Sequence, residues 1–569
     1  MRGGTGDGTN NAWPAPSRLL GYVTALLFVA ALWGSQLDFS GLFAAEEWRG
    51  SLERVGSLLA SFGKPDLSGE FFARCRDLAL ETAATATLAM ALATGLGSVL
   101  ALLASRNVVV GESRGMRRAV GTIVCELFRL VLDVLRGVPD FVWAVILVGV
   151  VGLGAPAGVL AIGLNVAGIL ARVLSELFDA VPRSSLEPLR QVGASRLQTF
   201  FYGVVPAVGQ DALSFVLLRW ECAIRNATVI GAVGGGGLGS EVREVLAYGY
   251  YDRIPVLLGS LVALTVTSDL LSQMLRAKLR HDPDHPRLRK VGMLSVGKQR
   301  LGLALGLTVV SFLVVASAWS LRAPFAEVAV GGGLEAAWDI FKDLLSPDSR
   351  LAGRALASSV LPLCLAVAAT LGAALLAAGA SYAASWTFQR LAPTFGAASG
   401  IPALRMLLLA SSRGLAVIAR AIPEVFWALL FVSLFKLGTL PALLAILVHT
   451  FGLLLRLYAE SLDAVPLRRL EPVEAIAHSR AKTWLYAGIP SVAPQWLANT
   501  FFQLEANLRA SVVLGMVGAA GGLGFLMHSE FQNFRMARAS TFLIVMVLWA
   551  VVFDRLSRWL GFSRARLAG

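Results

Sequence analysis

Residues 187–206 read EPLRQVGASRLQTFFYGVVP, a mixed basic and apolar stretch set between two long hydrophobic runs. Residues 471–490 read EPVEAIAHSRAKTWLYAGIP and follow the same plan: Glu-Pro first, Ser-Arg in the middle, and a Tyr four residues before the closing Pro. The chain around them is strongly apolar. Of 569 residues, 56% are hydrophobic and 15% charged, and the mean hydropathy is +0.67. A soluble domain carries about a quarter charged residues, so the sequence describes a polytopic membrane protein. The two stretches then read as helical interruptions lying outside the bilayer core.

A transmembrane helix needs about 20 mostly apolar residues, and segments of that kind recur about twelve times. In the first half they fall near 19–34, 77–104, 122–150, 157–179, 204–228 and 254–275. In the second they fall near 301–319, 355–386, 405–434, 438–460, 488–512 and 540–560. The expected fold is therefore all-α, with two halves of about six spans each, 1–275 and 301–569, joined by a basic linker, 276–300. The polar, Gly-rich start has no small-residue cleavage site, so 19–34 reads as a retained span. Arg106, Arg114, Arg117 and Arg118, the linker, and Arg564 and Arg566 fall on one side when the spans alternate, whereas 152–158 holds no Lys or Arg. The positive-inside rule then puts both termini, and the quoted stretches, in the cytoplasm. The net charge of +13 belongs to this loop bias and not to nucleic-acid binding. The four cysteines form no CxxC pair and suggest neither a disulfide framework nor a metal site.

The quoted stretches belong to a long duplication. RGVPDFVWA (136–144) pairs with RAIPEVFWA (420–428), and Pro139 and Pro423 set a register of 284 residues. The same register carries Gly168 onto Gly452, Arg172 onto Arg456, Glu176 onto Glu460, DAVP (179–182) onto DAVP (463–466), and Glu221 and Arg225 onto Glu505 and Arg509. Equivalent segments fall on the same side, so the halves are parallel repeats.

Glu187 is followed six residues later by Gly193, and thirteen after that by Pro206. This resembles the cytoplasmic loop motif of permease subunits in type I ABC importers: Glu-Ala-Ala, three residues, Gly, nine residues, then Ile-x-Leu-Pro. The matching positions in the second half are Glu471, Ala477 and Pro490, with Ala in place of the Gly. The R-x-x-P-[DE] motif followed by Trp-Ala, together with ECAIRNATVIGAVGGGGLG (221–239) and EANLRASVVLGMVGAAGGLG (505–524), looks like the permease of phosphonate importers. The resemblance implies two fused permease copies with no covalent chemistry and no cofactor of their own. It implies a bacterial inner-membrane location, ATP and Mg on two cytoplasmic ATPase subunits, an extracytoplasmic solute-binding protein and a small anionic solute. The competing readings are an importer of methionine or another small solute, and a secondary transporter with two parallel repeats.

The residues around the motif fit docking. Leu186, Leu189, Val192, Leu197 and Phe200 recur at helical spacing and define one apolar face, and Ser184 and Glu187 have capping-box spacing. A helix lying on lipid is the alternative. Arg468 replaces Ser184 in the second half, so the two short helices are expected to differ. The pairs Glu221/Arg225 and Glu505/Arg509 stand four residues apart within spans. Their readings are a translocation path that attracts an anion, or a neutralised pair that fixes packing. Gly234, Gly236, Gly237 and Gly239, with Gly518, Gly521, Gly522 and Gly524, suit a gate or close helix packing. Arg172/Glu176 and Arg456/Glu460 read as surface salt bridges or supports of the short helices, and His449 and His478 as structural.

Overall fold

The computed structural model describes residues 29–31, 34, 45–110, 115–279, 311, 313–321, 333–390, 403–435, 438–477, 479–518 and 520–559. Most of the expected spans 19–34 and 301–319, the linker beyond residue 279, Arg114, His478 and the basic tail after Trp559 lie outside the described residues. The described chain is helix and turn, without strand.

The first half builds α1 (Ala45–Gly63), α2 (Gly69–Ala104), α3 (Met116–Gly137), α4 (Asp140–Val151), α5 (Ala155–Ala180), α6 (Arg183–Gln191), α7 (Val205–Ile230), α8 (Leu238–Tyr248) and α9 (Ile254–Leu279). The second half repeats the order: α10 (Gly333–Leu344), α11 (Val360–Ala384), α12 (Ala403–Ala421), α13 (Glu424–Phe435), α14 (Thr439–Asp463), α15 (Leu467–Ala477), α16 (Ile489–Met516), α17 (Leu523–Gln532) and α18 (Met536–Trp559). Each helix of the first half thus has a counterpart nine labels on.

Among the described residues seven helices are long and apolar enough to cross a membrane, or nine if each of two bent pairs is one span. The bent pairs correct two expected straight spans. The segment 122–150 folds as α3 and α4 at 87°, and 405–434 as α12 and α13 at 91°. The cause is local: Pro139 and Pro423 cannot donate to a helical carbonyl, and each stands one residue before the new helix. The expected span 488–512 lies in α16, which has 28 residues but is not among the sufficiently apolar helices. It carries Glu505, Arg509 and the amides of Gln503 and Asn507.

The halves interlock. Phe141, Val142 and Ile146 of α4 are buried in one cluster with Leu365 of α11, Ile446 of α14 and Phe542 of α18. Reciprocally, Phe426 and Leu434 of α13 sit in the cluster of Leu238, Leu257 and Leu261 from the first half. Even the outlying α1 crosses over, since Arg54 Nε donates to the Leu434 carbonyl at 3.0 Å. By contrast Met116, Ile123, Leu127 and Leu130 of α3 are exposed. In a membrane protein such a contiguous apolar face meets lipid.

Candidate functional site

The repeated Pro motif is explained by the bends it makes. A broken helix leaves carbonyls without intrahelical donors. The Asn165 amide donates to the Val138 carbonyl at 2.6 Å, and at the equivalent position His449 Nδ1 lies 3.0 Å from the Ile422 carbonyl. Trp143 and Trp427 reach back to the Leu135 and Ala419 carbonyls, at 3.4 and 3.1 Å. A Cβ on Gly168 would come 2.7 Å from the Leu135 Cβ, and one on Gly452 2.8 Å from the Ala419 Cβ, so both glycines let the next long helix press against the bend. Asp140 and Glu424 open α4 and α13, where a negative charge meets the positive helix end.

The two quoted stretches form α6 and α15 with the helical turns that follow them. Gly193 breaks the first at φ +86°, a left-handed value that glycine adopts without steric cost. This corrects the single apolar face expected from the sequence. Leu186 and Phe200 are buried, but Val192 and Leu197 are 82% and 60% exposed, because the break turns them outward. The cap differs as well. Pro182 precedes α6 without a side-chain cap, and the capping box is Ser195 with Gln198, which opens the next turn. Pro188 lies inside α6, as Pro472 lies inside α15. Ala477 ends α15 as an ordinary helical residue, and no break equivalent to Gly193 occurs before it. Glu187 and Glu471 are exposed, and so are Pro206 and Pro490, each following a π-helical turn that leads into α7 or α16. Burial, and then the Glu471 carboxylate, push the Glu474 carboxyl above its ordinary range.

Both short helices stand on the same pedestal. Asp179, the first residue of DAVP, accepts from Ser105 Oγ at 2.8 Å, Asn107 N at 2.9 Å and the Arg129 guanidinium at 2.9 Å. Asp463 accepts from Ser385 Oγ at 2.7 Å, Thr387 N at 2.9 Å and the Arg413 guanidinium at 2.7 Å. Each arginine also donates Nε to the last carbonyl of the first long helix, Ala104 or Ala384. These residues sit in or near repeated motifs, so the duplication register could have found them.

A cavity of about 1130 Å³ lies between the halves. It runs from the bends at Pro139 and Pro423 to Glu176, Glu460 and Ala464, just before α6 and α15. Five arginines line it: Arg136, Arg172, Arg219, Arg225 and Arg509. Asp140, Glu176, Glu424, Glu460 and Glu505 line it too. The expected residues therefore divide. Arg225, Arg509 and Glu505 reach the cavity, while Glu221 is 6% exposed, does not line it, and bridges Arg225 at 3.6 Å and Arg276 at 3.8 Å. Glu505 stands 3.7 Å from Arg509. Arg172/Glu176 and Arg456/Glu460 are bonded pairs, at 2.8 and 2.7 Å, whose glutamates face the cavity. Sequence reasoning passed over Arg219, Asn226 and Asp140. The Asn226 amide bonds the Asp140 carboxylate.

The glycine segments hold α8 and α17 against α7 and α16. Gly234, Gly236 and Gly237 have φ of +108°, +78° and +70°, and Gly518 and Gly522 have +83° and +80°. Gly239 and Gly524 serve close approach, since a Cβ there would collide with the Thr228 or Val512 carbonyl. Gly521 is in ordinary contact range of Leu361 only. The Thr82 hydroxyl accepts from Leu238 N at 3.0 Å, which fixes the start of α8 to α2.

Comparison with known proteins adds to this geometry. The family described as "Binding-protein-dependent transport system inner membrane component" matches residues 107–281 and again 407–565. The chain is 26% identical over 509 residues to the phosphate-import permease protein of Mycolicibacterium smegmatis, covering 87% of this chain and 86% of that one. It is 30% identical over 238 residues to the phosphite transport system permease protein of Stutzerimonas stutzeri, covering 42% of this chain and 82% of that one. No solved structure matches the chain.

Proposed function

The chain belongs to the family of binding-protein-dependent transport system inner membrane components, and from that premise we propose that it is the double permease of an ATP-driven importer of small phosphorus oxyanions. Family membership sets aside the secondary-transporter reading. The relatives named for phosphate and phosphite support the solute class. The observation that carries the mechanism is the arginine-lined cavity between the halves, ending beside the two short helices.

In this reading α6 and α15 each dock a cytoplasmic ATPase subunit, and an extracytoplasmic binding protein delivers the solute. ATP and Mg act on the partners. The arrangement corresponds to an inward-open state, and ATP-driven approach of the ATPases moves the halves toward the outward-open one. Residues 1–275 and 301–569 are the two permease units, with both termini cytoplasmic. Arg225 and Arg509 attract the anion, and their glutamates keep it from binding too tightly.

The test is uptake in proteoliposomes containing the chain, its ATPase subunits and the binding protein. ATP-dependent accumulation of phosphate, phosphite or methylphosphonate is expected. The Arg225→Gln/Arg509→Gln variant should lower it about tenfold or more, a loss of roughly 1.4 kcal/mol or more of anion stabilisation, while the ATPase still docks. Absence of ATP-driven uptake of all three solutes refutes the proposal.

A further inference from the structure

The five arginines and five carboxylates of the cavity balance formally, so the cavity as a whole is not a positive funnel. What matters is which cation is spare. Arg172 is bonded to Glu176 at 2.8 Å and Arg136 to Asp133 at 2.9 Å. Arg225 lies 3.6 Å from Glu221, and Arg509 3.7 Å from Glu505. Arg219 has no carboxylate within ion-pair distance among the described residues. Its guanidinium lies 5.3 Å from the Phe215 ring centre, and its Nε is buried without a hydrogen-bond partner.

Arg219 is also not isolated from other cations. Both it and Arg136 stand close enough to Arg509 to repel it, and Asp140, near the same group, is already engaged by the Asn226 amide and Phe141 N. Three guanidiniums from the two halves therefore converge, with one positive charge left over. A desolvated guanidinium without a counter-ion is costly at membrane depth, and the cluster is completed by an anion with several acceptor oxygens. The apolar lining residues Ile169, Val173 and Val229 leave room for an organic substituent beside the charged head. The second half has Gln503 where the first has Arg219, so the arrangement is one-sided.

Resting on the importer reading above, we propose that Arg219, assisted by Arg136 and Arg509, forms a single asymmetric binding point for the PO₃ head of a phosphorus oxyanion inside the cavity. The site reads the head and tolerates the substituent, so phosphate, phosphite and methylphosphonate bind there alike.

The test uses the full chain with its ATPase subunits in nanodiscs, without the binding protein, and radiolabelled inorganic phosphate as the probe. Saturable binding is expected, weakened about tenfold or more in Arg219→Gln and less in Arg219→Lys, which keeps the charge. Phosphate should also slow modification of Arg219 by phenylglyoxal in the unaltered chain, as mapped on its peptides, and this readout needs no variant to fold. Equal phosphate affinity in the wild type and Arg219→Gln, or labelling of Arg219 indifferent to phosphate, overturns the proposal. ATP-driven uptake by the unaltered chain separates the two levels. If uptake proceeds while Arg219 is neither protected nor required, only the binding point is lost. If uptake is absent, the importer reading fails with it.

Discussion

Asp179 and Asp463 each gather donors from three places: a serine hydroxyl, a backbone N–H and an arginine from the amphipathic helix. The charge is what lets one side chain serve all of them, since hydrogen bonds to ionised groups contribute about 1.5–3 kcal/mol. Asp179→Asn leaves Arg129 without its partner, and Asp463→Asn does the same to Arg413. Each variant should lower stability by about 1–3 kcal/mol, seen as a lower melting temperature of the detergent-purified chain. The Leu186 and Leu470 side chains, fully or almost fully buried beside these pedestals, should become easier to reach. Melting temperatures unchanged in both variants would show that the pedestals are ornamental to folding.

At the level of elements the two short helices part company. α6 ends at Gln191, and Gly193 reverses the backbone at φ +86°, while α15 runs on to Ala477. A side chain in the left-handed region costs roughly 1–2 kcal/mol, so Gly193→Ala should unbend or loosen the first loop. Ala477→Gly removes about 1 kcal/mol of helix propensity and imposes no strain. ATPase stimulated by the binding protein should therefore fall further with Gly193→Ala than with Ala477→Gly. Equal losses at the two positions would mean that the halves couple alike despite their different loops. Farther along, Pro206 and Pro490 both follow a π-helical turn, a widening that accommodates a residue with no N–H.

Across the whole molecule the halves are joined by charge as well as by shared cores. Asp269 of α9 meets Arg420 of α12 at 2.8 Å and Arg456 of α14 at 3.6 Å, with the Asp269 and Arg420 side chains 10% and 8% exposed. Removing one member of a buried pair strands the other and typically costs 3–5 kcal/mol, roughly. Co-expressed as separate pieces cut within 280–300, the halves should co-purify, and Asp269→Asn should reduce their recovery. Asp269→Asn combined with Arg420→Gln should do less damage than Asp269→Asn alone, because no uncompensated charge remains. A neutral Asp269→Asn would assign the joining of the halves to apolar packing alone. Fusion in one chain also lets equivalent positions diverge, as Asn165/His449 and Arg219/Gln503 have done.

The sequence by itself determined the class, the duplication and the place of the two short helices. These depend on local chemistry: apolar runs of bilayer length, prolines and glycines that interrupt helices, and a register of 284 residues that repeats them. Glu221 and Glu505 occupy equivalent positions in that register, and only the tertiary structure separated them, burying one away from the cavity and bringing the other to its wall. Likewise a hydrophobic segment such as 122–150 shows its length but not its path, because the 87° turn at Pro139 is stabilised by Asn165 and Trp143 from other parts of the fold. Arg219 has no repeat partner to mark it. Its meaning depends on which carboxylates approach from other helices, a distance relation that exists only once the halves have packed.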